Sequence, residues 1–213
     1  MFHRTFRLDE NTKILDIGSE DGSNIAALVT GYPVKPENIY IADIDRPSVE
    51  RGAAKYGFAP VVLPEQGLLP FETGFFDIVY CSSTLEHVTV TKNEIWTIRS
   101  GTEFRRRALE SQFQLAAEIA RVGKQYFVQT PCRSFPVESH SWLPLVGMLP
   151  RELVVPLFAL SNCFWVKKTI PDFYLLTRSE TQSMFPDAVV TAEKRFGLTK
   201  SWITIKANTV SKE

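Results

Sequence analysis

Residues 13–24 constrain the fold more than any other part of the chain. An apolar run at residues 14–17, interrupted by Asp16, is typical of a strand buried in a parallel sheet. Gly18 and Gly22 follow, and a helical pattern begins directly after the second glycine. A strand, a glycine turn and a helix form the first unit of a doubly wound α/β fold, which binds ligands beyond the C-terminal ends of its strands. This turn is therefore the first candidate site.

The residues between the two glycines restrict what the turn can bind. Dinucleotide enzymes carry G-x-G-x-x-G, because three glycines let the backbone approach a pyrophosphate at a helix N-terminus. Here Glu20 and Asp21 lie in the turn, and two carboxylates would repel a pyrophosphate but favour a cationic ligand. An NAD-dependent oxidoreductase is thus the less favoured alternative.

A second buried strand, predicted at residues 39–43, ends in Asp43. Asp43 lies 21 residues after Gly22, close to the roughly 20 residues that separate a glycine turn from a ribose-binding carboxylate. A carboxylate can accept two hydrogen bonds from a vicinal diol. We predict ribose binding by Asp43 and capping of the next helix by Asp45, since Pro47 suits the first turn of that helix. Capping is the alternative for Asp43 as well.

The most specific stretch is residues 68–88, which contains Leu-Pro-Phe, then Phe-Asp-Ile-Val entering a buried strand, then Leu-Glu-His. Together with the first turn, it resembles class I S-adenosylmethionine-dependent methyltransferases of the small-molecule, type 11-like kind. Their first strand ends in an acid-x-Gly-x-Gly-x-Gly run, which Asp16, Gly18 and Gly22 match, whereas Glu20 replaces the middle glycine.

The resemblance implies S-adenosylmethionine as cofactor, a ligand with a sulfonium, an ammonium and a carboxylate but no phosphate. In the family, an acid shortly before Leu-Pro-Phe contacts the adenine amino group. The matching position is Glu65, with Gln66 as the alternative. The complete set of predicted cofactor-binding residues is Asp16, Gly18, Ser19, Gly22, Asp43, Ile44, Glu65, Gln66 and Ser82.

The end of the chain alternates as two strands, residues 188–196 and 201–206, joined by a turn too short for a crossover helix. They should therefore be antiparallel, as in the methyltransferases that the chain resembles. We predict a Rossmann-like, doubly wound α/β fold. Its sheet has seven mostly parallel strands and a C-terminal antiparallel strand, with helices on both faces, in a single domain of residues 1–213.

Two segments on the substrate side are expected to be additions to the common doubly wound fold. Residues 89–105 are polar and are predicted to be an insertion over the site, followed by an amphipathic helix at 106–122 whose apolar face includes Phe113. Residues 133–173 are predicted to form a substrate-side lid. They contain a very apolar run at 143–166, which is too interrupted for a membrane span.

We expect this apolar run to form a pair of short helices on the sheet edge, with Pro144, Pro150 and Pro156 breaking it. A hydrophobic lid for an apolar acceptor, or a patch resting on a membrane surface, is the alternative. Peripheral membrane contact therefore stays open, whereas no transmembrane segment is expected.

His87 and His140 are the candidate catalytic residues, because they follow the fourth and fifth predicted strands on the ligand side. A hydroxyl acceptor must lose a proton, and a histidine titrates near neutrality. Glu86 and Glu138 lie near them in sequence and could orient the rings. A purely structural role is the favoured alternative for His87 and an equal one for His140.

Composition sets the remaining bounds. The chain has 24 basic and 24 acidic residues, and this balance argues against a nucleic-acid partner. Its three cysteines match no metal spacing, and no apolar signal core begins the chain, so we expect no metal and a cytoplasmic protein.

The run Phe-Pro-x-Glu-x-His at residues 135–140 resembles methyltransferases of glycan and cell-surface biosynthesis. The sequence thus predicts methyl transfer to a small-molecule acceptor, a hydroxyl or amine of a sugar or glycan precursor. The alternative is a catalytically inactive binding or scaffold module, which the replacement at Glu20 favours.

Overall fold

The computed structural model describes residues 1–65, 67–136, 143, 146 and 149–207. The strands are β1 Ile14–Ile17, β2 Ile39–Asp43, β3 Ala59–Val62, β4 Phe76–Ser82, β5 Gly123–Pro131, β6 Val189–Arg195 and β7 Leu198–Lys206. The α-helices are α1 Phe2–Thr5, α2 Ser23–Val29, α3 Arg46–Tyr56, α4 Gly101–Val122, α5 Arg151–Phe164 and α6 Arg178–Met184.

The strands form one sheet in the order β3-β2-β1-β4-β5-β7-β6. Pairing is parallel from β3 through β5, and β7 runs antiparallel to both β5 and β6. The predicted doubly wound sheet with an antiparallel C-terminal strand is confirmed. The order reverses direction at β1 and β4, which is where such sheets open a crevice for a ligand.

Alternation along β1 gives each face of the sheet its own core. Leu15 packs with Ala116 and Ile119 of α4 on one face. Ile14 packs with Ile25 of α2 and Val49 of α3 on the other. Side chains of successive strand residues point to opposite faces, and the continuous apolar run at β1 is therefore explained by helices on both sides.

Helix α4 differs from its prediction at both its start and its buried face. It begins at Gly101 rather than at residue 106, because the Ser100 hydroxyl accepts a hydrogen bond from the Glu103 N–H and caps the first turn. Phe113, predicted on the apolar face, is 41% exposed. Gln112 is buried in its place, because its amide donates to the Tyr174 carbonyl.

Helix α5 is one helix that continues through Pro156, so the prediction that this proline breaks the run was wrong. Pro156 lies on the exposed side. The start of the helix is fixed by Arg151, whose buried guanidinium donates to the carbonyls of Ile95, Ile98 and Pro171. Burial lowers the pKa of Arg151 to about 10. Within the described residues, no helix has both the length and the apolar character needed to cross a membrane.

Candidate functional site

A cavity of about 630 Å³ opens at the C-terminal ends of β1, β2 and β4. Its walls come from the glycine turn after β1, the residues after β2, the loop between β3 and β4, and the segment between β4 and α4. Lining residues from these parts include Gly18, Glu20, Asp43, Ile44, Glu65, Leu69, Thr84, His87, Lys92 and Asp172. Residues 89–92, part of the segment 89–105 predicted to lie over the site, also line the cavity.

Close packing explains both glycines of the first turn. A Cβ on Gly18 would lie 2.1 Å from Oγ1 of Thr84, and a Cβ on Gly22 would lie 2.9 Å from Cγ2 of Ile41. Both glycines also have φ near +70°, a left-handed conformation that side chains disfavour. The Thr84 hydroxyl donates to the Ile17 carbonyl, which ties the end of β1 to the residues after β4.

Glu20 adopts the backbone conformation that a glycine would provide at its position. Its φ is +50°, and its N–H donates to Oδ2 of Asp43 at 2.9 Å. Oδ1 of the same carboxylate accepts from the Asp45 N–H at 3.0 Å. A carboxylate oxygen has two lone pairs, and each Asp43 oxygen therefore keeps one for a ligand. The turn thus retains its geometry despite the missing glycine.

Asp16 lies beneath the turn and is only 3% exposed. Within the described part of the chain, its Oδ2 is buried without a hydrogen-bond partner. Burial first, and the nearby charge of Asp43 second, raise the pKa of Asp16 well above its ordinary value. Such a carboxyl group becomes an anion readily only when a cation approaches.

Two charged residues of α4 hold the wall that begins at Leu69. The Glu118 carboxylate accepts from the Leu69 N–H at 2.7 Å. The Arg121 guanidinium donates to the carbonyls of Leu69 and Phe71 and pairs with Glu118. This pairing with Arg121 holds the pKa of Glu118 below its ordinary range. The Leu-Pro-Phe turn is therefore fixed by hydrogen bonds between its backbone and two side chains of α4. No sequence pattern predicted these bonds.

His87 faces the cavity and pairs with Asp172. Its Nδ1 lies 3.2 Å from Oδ1 of Asp172, and both residues line the cavity. The carbonyl of Asp172 accepts from the Thr89 hydroxyl at 2.6 Å, which fixes this segment over the site. Sequence reasoning missed Asp172 because it belongs to no motif and lies far from His87 along the chain.

The predicted site residues fall into three groups. Gly18, Asp43, Ile44, Glu65 and His87 line the cavity. Four others are buried or half-buried beneath or beside the cavity: Asp16, Ser19, Gly22 and Ser82. Gln66 and His140 lie outside the described residues.

The charge of the cavity wall is mainly negative. Its carboxylates are Glu20, Asp43, Asp45, Glu65 and Asp172, against the single ammonium of Lys92, which lies 4.0 Å from Glu65. A pyrophosphate would be repelled here, whereas a ligand with a sulfonium and an ammonium fits. The volume also falls within the roughly 300–1,000 Å³ of small-molecule sites. Among the described residues, no three His, Cys, Asp or Glu side chains gather as a metal site.

The sheet order with an inserted antiparallel strand, together with an acidic cavity at a glycine turn, defines a class I methyltransferase fold. Residues 15–99 match the methyltransferase domain family. This match supports the S-adenosylmethionine-dependent methyltransferase and the S-adenosylmethionine cofactor that the sequence predicted. A sequence comparison with curated proteins gives no match.

Solved structures of similar fold share little sequence. A chain of the complex between the Haloferax volcanii Trm112 methyltransferase activator and a methyltransferase is 12% identical, with a TM-score of 0.56 over 96% of this chain and 85% of that one. A protein described as an O-methyltransferase from Nostoc punctiforme is 14% identical, with a TM-score of 0.57 over 92% of this chain and 52% of that one. At these identities the likeness establishes the fold.

Proposed function

We propose that this protein transfers the methyl group of S-adenosylmethionine to a hydroxyl of a small-molecule acceptor, a sugar or glycan precursor. The observation that carries the proposal is that the His87–Asp172 pair lines the same cavity as Asp43, Ile44 and Glu65. A proton acceptor and the predicted cofactor residues thus line one cavity.

On the cofactor side, Asp43 would bind the ribose hydroxyls through its two remaining lone pairs. Glu65 would contact the adenine amino group, and Ile44 would pack on the adenine ring. Gly18 and Ser19 would approach the methionine part, with Asp16 beneath them compensated by the ammonium. Bound S-adenosylmethionine supplies an activated methyl group, and so the protein mainly has to orient the acceptor and exclude water.

His87 is proposed as the general base of the reaction. Asp172 orients the imidazole through Nδ1, and Nε2 is the nitrogen proposed to take the proton of the acceptor hydroxyl. The Asp172 carboxylate would also stabilise the imidazolium that forms when His87 takes the proton. Glu86, the orienting residue considered from the sequence, instead accepts from the Thr130 hydroxyl in the interior.

The neutral polar part of the wall supports a sugar as the acceptor. Thr89, Thr91, Ser111 and Gln114 line the cavity beside the histidine. The three hydroxyls donate within the protein but keep lone pairs that can accept from sugar hydroxyls. Among the described residues of this wall, Lys92 is the one lysine or arginine, which disfavours an acceptor whose phosphates enter the cavity. We propose that residues 133–173, which include Asp172, form the acceptor-side lid. Three free thiols support a reducing, cytoplasmic location.

The direct test combines cofactor binding with methyl transfer. Calorimetry with S-adenosylhomocysteine tests the cofactor site, and transfer of labelled methyl groups to nucleotide sugars and lipid-linked glycans screens the acceptor. With an acceptor found, His87→Gln should lower kcat by about 10²–10⁴-fold, the usual contribution of a general base. Its affinity for S-adenosylhomocysteine should be unchanged.

Asp172→Asn should keep binding and lose less activity than His87→Gln, because the base remains but is oriented less well. Full kcat in His87→Gln would refute the base assignment. If the intact protein does not bind S-adenosylhomocysteine, the enzyme proposal fails and the inactive binding module becomes the better explanation.

A further inference from the structure

Helix α5 carries a continuous apolar stripe on its solvent-facing side. The exposed fractions are 55% for Leu153, 62% for Leu160 and 70% for Phe164, and Pro156 between them is also exposed. Spacings of three and four residues place these side chains on one face. The sequence from Leu153 to Val166 contains no charged residue. This face has the composition of a buried surface.

The stripe extends past the end of the helix, and the opposite side of α5 is already used. Val166 is 88% exposed and Ile170 is 51% exposed. On the inner side, Val154 and Phe158 are buried in a core cluster with Val146. A helix that is apolar on both sides is normally covered on both sides, and a large exposed apolar patch marks an interaction surface.

Exposed cations lie at both ends of the stripe. Lys168 follows it on the C-terminal side. At the other end, Arg133 shares a second cavity, of about 400 Å³, with Leu149, a half-exposed residue just before the first turn of α5. Glu152 is the acid at this end, and its carboxylate already accepts from the Gly101 N–H. The surface is therefore apolar along its length, with Lys168 beyond one end and both Arg133 and Glu152 beside the other.

We propose that the α5 stripe docks the protein on the surface of a lipid bilayer with anionic headgroups, with the helix axis in the membrane plane. Apolar side chains would enter the interface while Arg133 and Lys168 contact the headgroups. Trp165, which is 36% exposed at the end of the helix, suits the headgroup level. The 14 residues of α5 reach about 21 Å, short of the roughly 30 Å hydrocarbon core.

Charge also favours a bilayer over a second copy of the chain. A symmetric dimer through α5 would place equivalent surfaces against each other. With parallel helices, Lys168 would face Lys168. With antiparallel helices, Lys168 would face the end that carries Arg133. The parallel arrangement brings like charges together, which is unfavourable across an interface. The antiparallel one sets Lys168 and Arg133 against the single carboxylate of Glu152, whereas an anionic membrane pairs with both cations.

Docking in this way would bring the methyl-transfer cavity close to the membrane. Arg151 at the start of α5 donates to the carbonyls of Ile95 and Pro171. Ile95 itself lines the cavity, as does Asp172, the residue after Pro171. The inference is independent of the proposed reaction, because membrane binding can be measured without cofactor or acceptor.

The test is flotation of the full chain with vesicles of phosphatidylcholine alone or mixed with phosphatidylglycerol. We expect binding to the mixed vesicles, and a loss of about tenfold or more in the double variant Leu160→Glu/Phe164→Glu, since two inserted apolar groups become charges. Phe196→Glu is the matched control, because Phe196 is 89% exposed in the turn between β6 and β7 and belongs neither to α5 nor to its stripe. It should bind like the unaltered chain.

Lys168→Glu is a second variant that leaves the stripe intact. It should weaken binding to the mixed vesicles and leave binding to phosphatidylcholine unchanged. Absence of flotation, or equal flotation of the double variant, would overturn the proposal. Sedimentation velocity provides the remaining check: a dimer that Leu160→Glu/Phe164→Glu dissociates would show that a second copy covers α5 instead.

Discussion

The backbone N–H of Glu20 donates to Oδ2 of Asp43 at 2.9 Å, and this bond joins the turn after β1 to the end of β2. The Asp45 N–H holds the other oxygen at 3.0 Å. Two backbone donors thus fix the carboxylate in one orientation at the cavity wall. A preorganised acceptor of this kind loses little entropy when it binds a diol.

The first prediction concerns Asp43→Asn, which should weaken S-adenosylhomocysteine binding by about 10- to 100-fold. The amide cannot accept on both sides, and hydrogen bonds to a charged acceptor contribute about 1.5–3 kcal/mol. Isothermal titration calorimetry measures the change. Asp45→Asn is the control for wall charge, because Asp45 also lines the cavity but caps α3, where asparagine is an equally good cap. Unchanged affinity in Asp43→Asn would exclude ribose binding by this residue.

The second prediction concerns Glu20→Gly, which restores the glycine of the family pattern. The φ of +50° costs a side-chain-bearing residue energy that glycine avoids, and we expect the free energy of unfolding to rise by about 0.5–1 kcal/mol. Urea denaturation measures it. Phe196→Gly is the matched control, since Phe196 has φ +52° far from the cavity.

Cofactor affinity separates the two glycine variants. The backbone of the turn already has the required conformation, and Glu20→Gly should therefore bind S-adenosylhomocysteine at least as well as the unaltered protein. A large loss of affinity would mean that the Glu20 carboxylate itself contacts the ligand.

The core of the fold could be predicted because its signals are local. The glycine turn, the acid after β2 and the Leu-Pro-Phe block each lie within one short stretch, and a buried parallel strand has a recognisable apolar run. The final hairpin followed from its short turn alone. These stretches position Gly18, Asp43 and Glu65 at one edge of the sheet.

Contacts between distant segments could not be predicted. The His87–Asp172 pair depends on where the segment after α5 passes over the sheet, which no periodicity encodes. Burial of Gln112 in place of Phe113 depends in the same way on the Tyr174 carbonyl. The prediction for Pro156 was wrong because this proline faces solvent. There it removes one hydrogen bond of the helix, but its ring does not disturb the packing of α5 against another element.

The third prediction concerns Asp16→Asn and its dependence on pH. Burial raises the pKa of Asp16 above the ordinary 3.8. Between 3.8 and the raised pKa the folded state holds a proton that the unfolded state has lost, and stability from this group falls as pH rises. The unfolding free energy of Asp16→Asn minus that of the unaltered protein should therefore grow from pH 4 upward. Urea titrations across pH measure it, and a pH-independent difference would contradict the prediction.

The last prediction concerns Arg121→Gln, which removes the group that fixes the Leu69 and Phe71 carbonyls. Because Glu118 is left as a buried carboxylate, we expect a loss of about 1–3 kcal/mol in unfolding free energy at neutral pH. The pairing with Arg121 lowers the pKa of Glu118 in the folded protein. The loss of unfolding free energy in Arg121→Gln should therefore shrink as the pH falls through that lowered pKa. Arg106→Gln is the control. It breaks an exposed pair with Glu110 and should cost about 0–0.5 kcal/mol. Equal losses in the two variants, measured by urea denaturation, would mean that the buried pair does not fix the cavity wall.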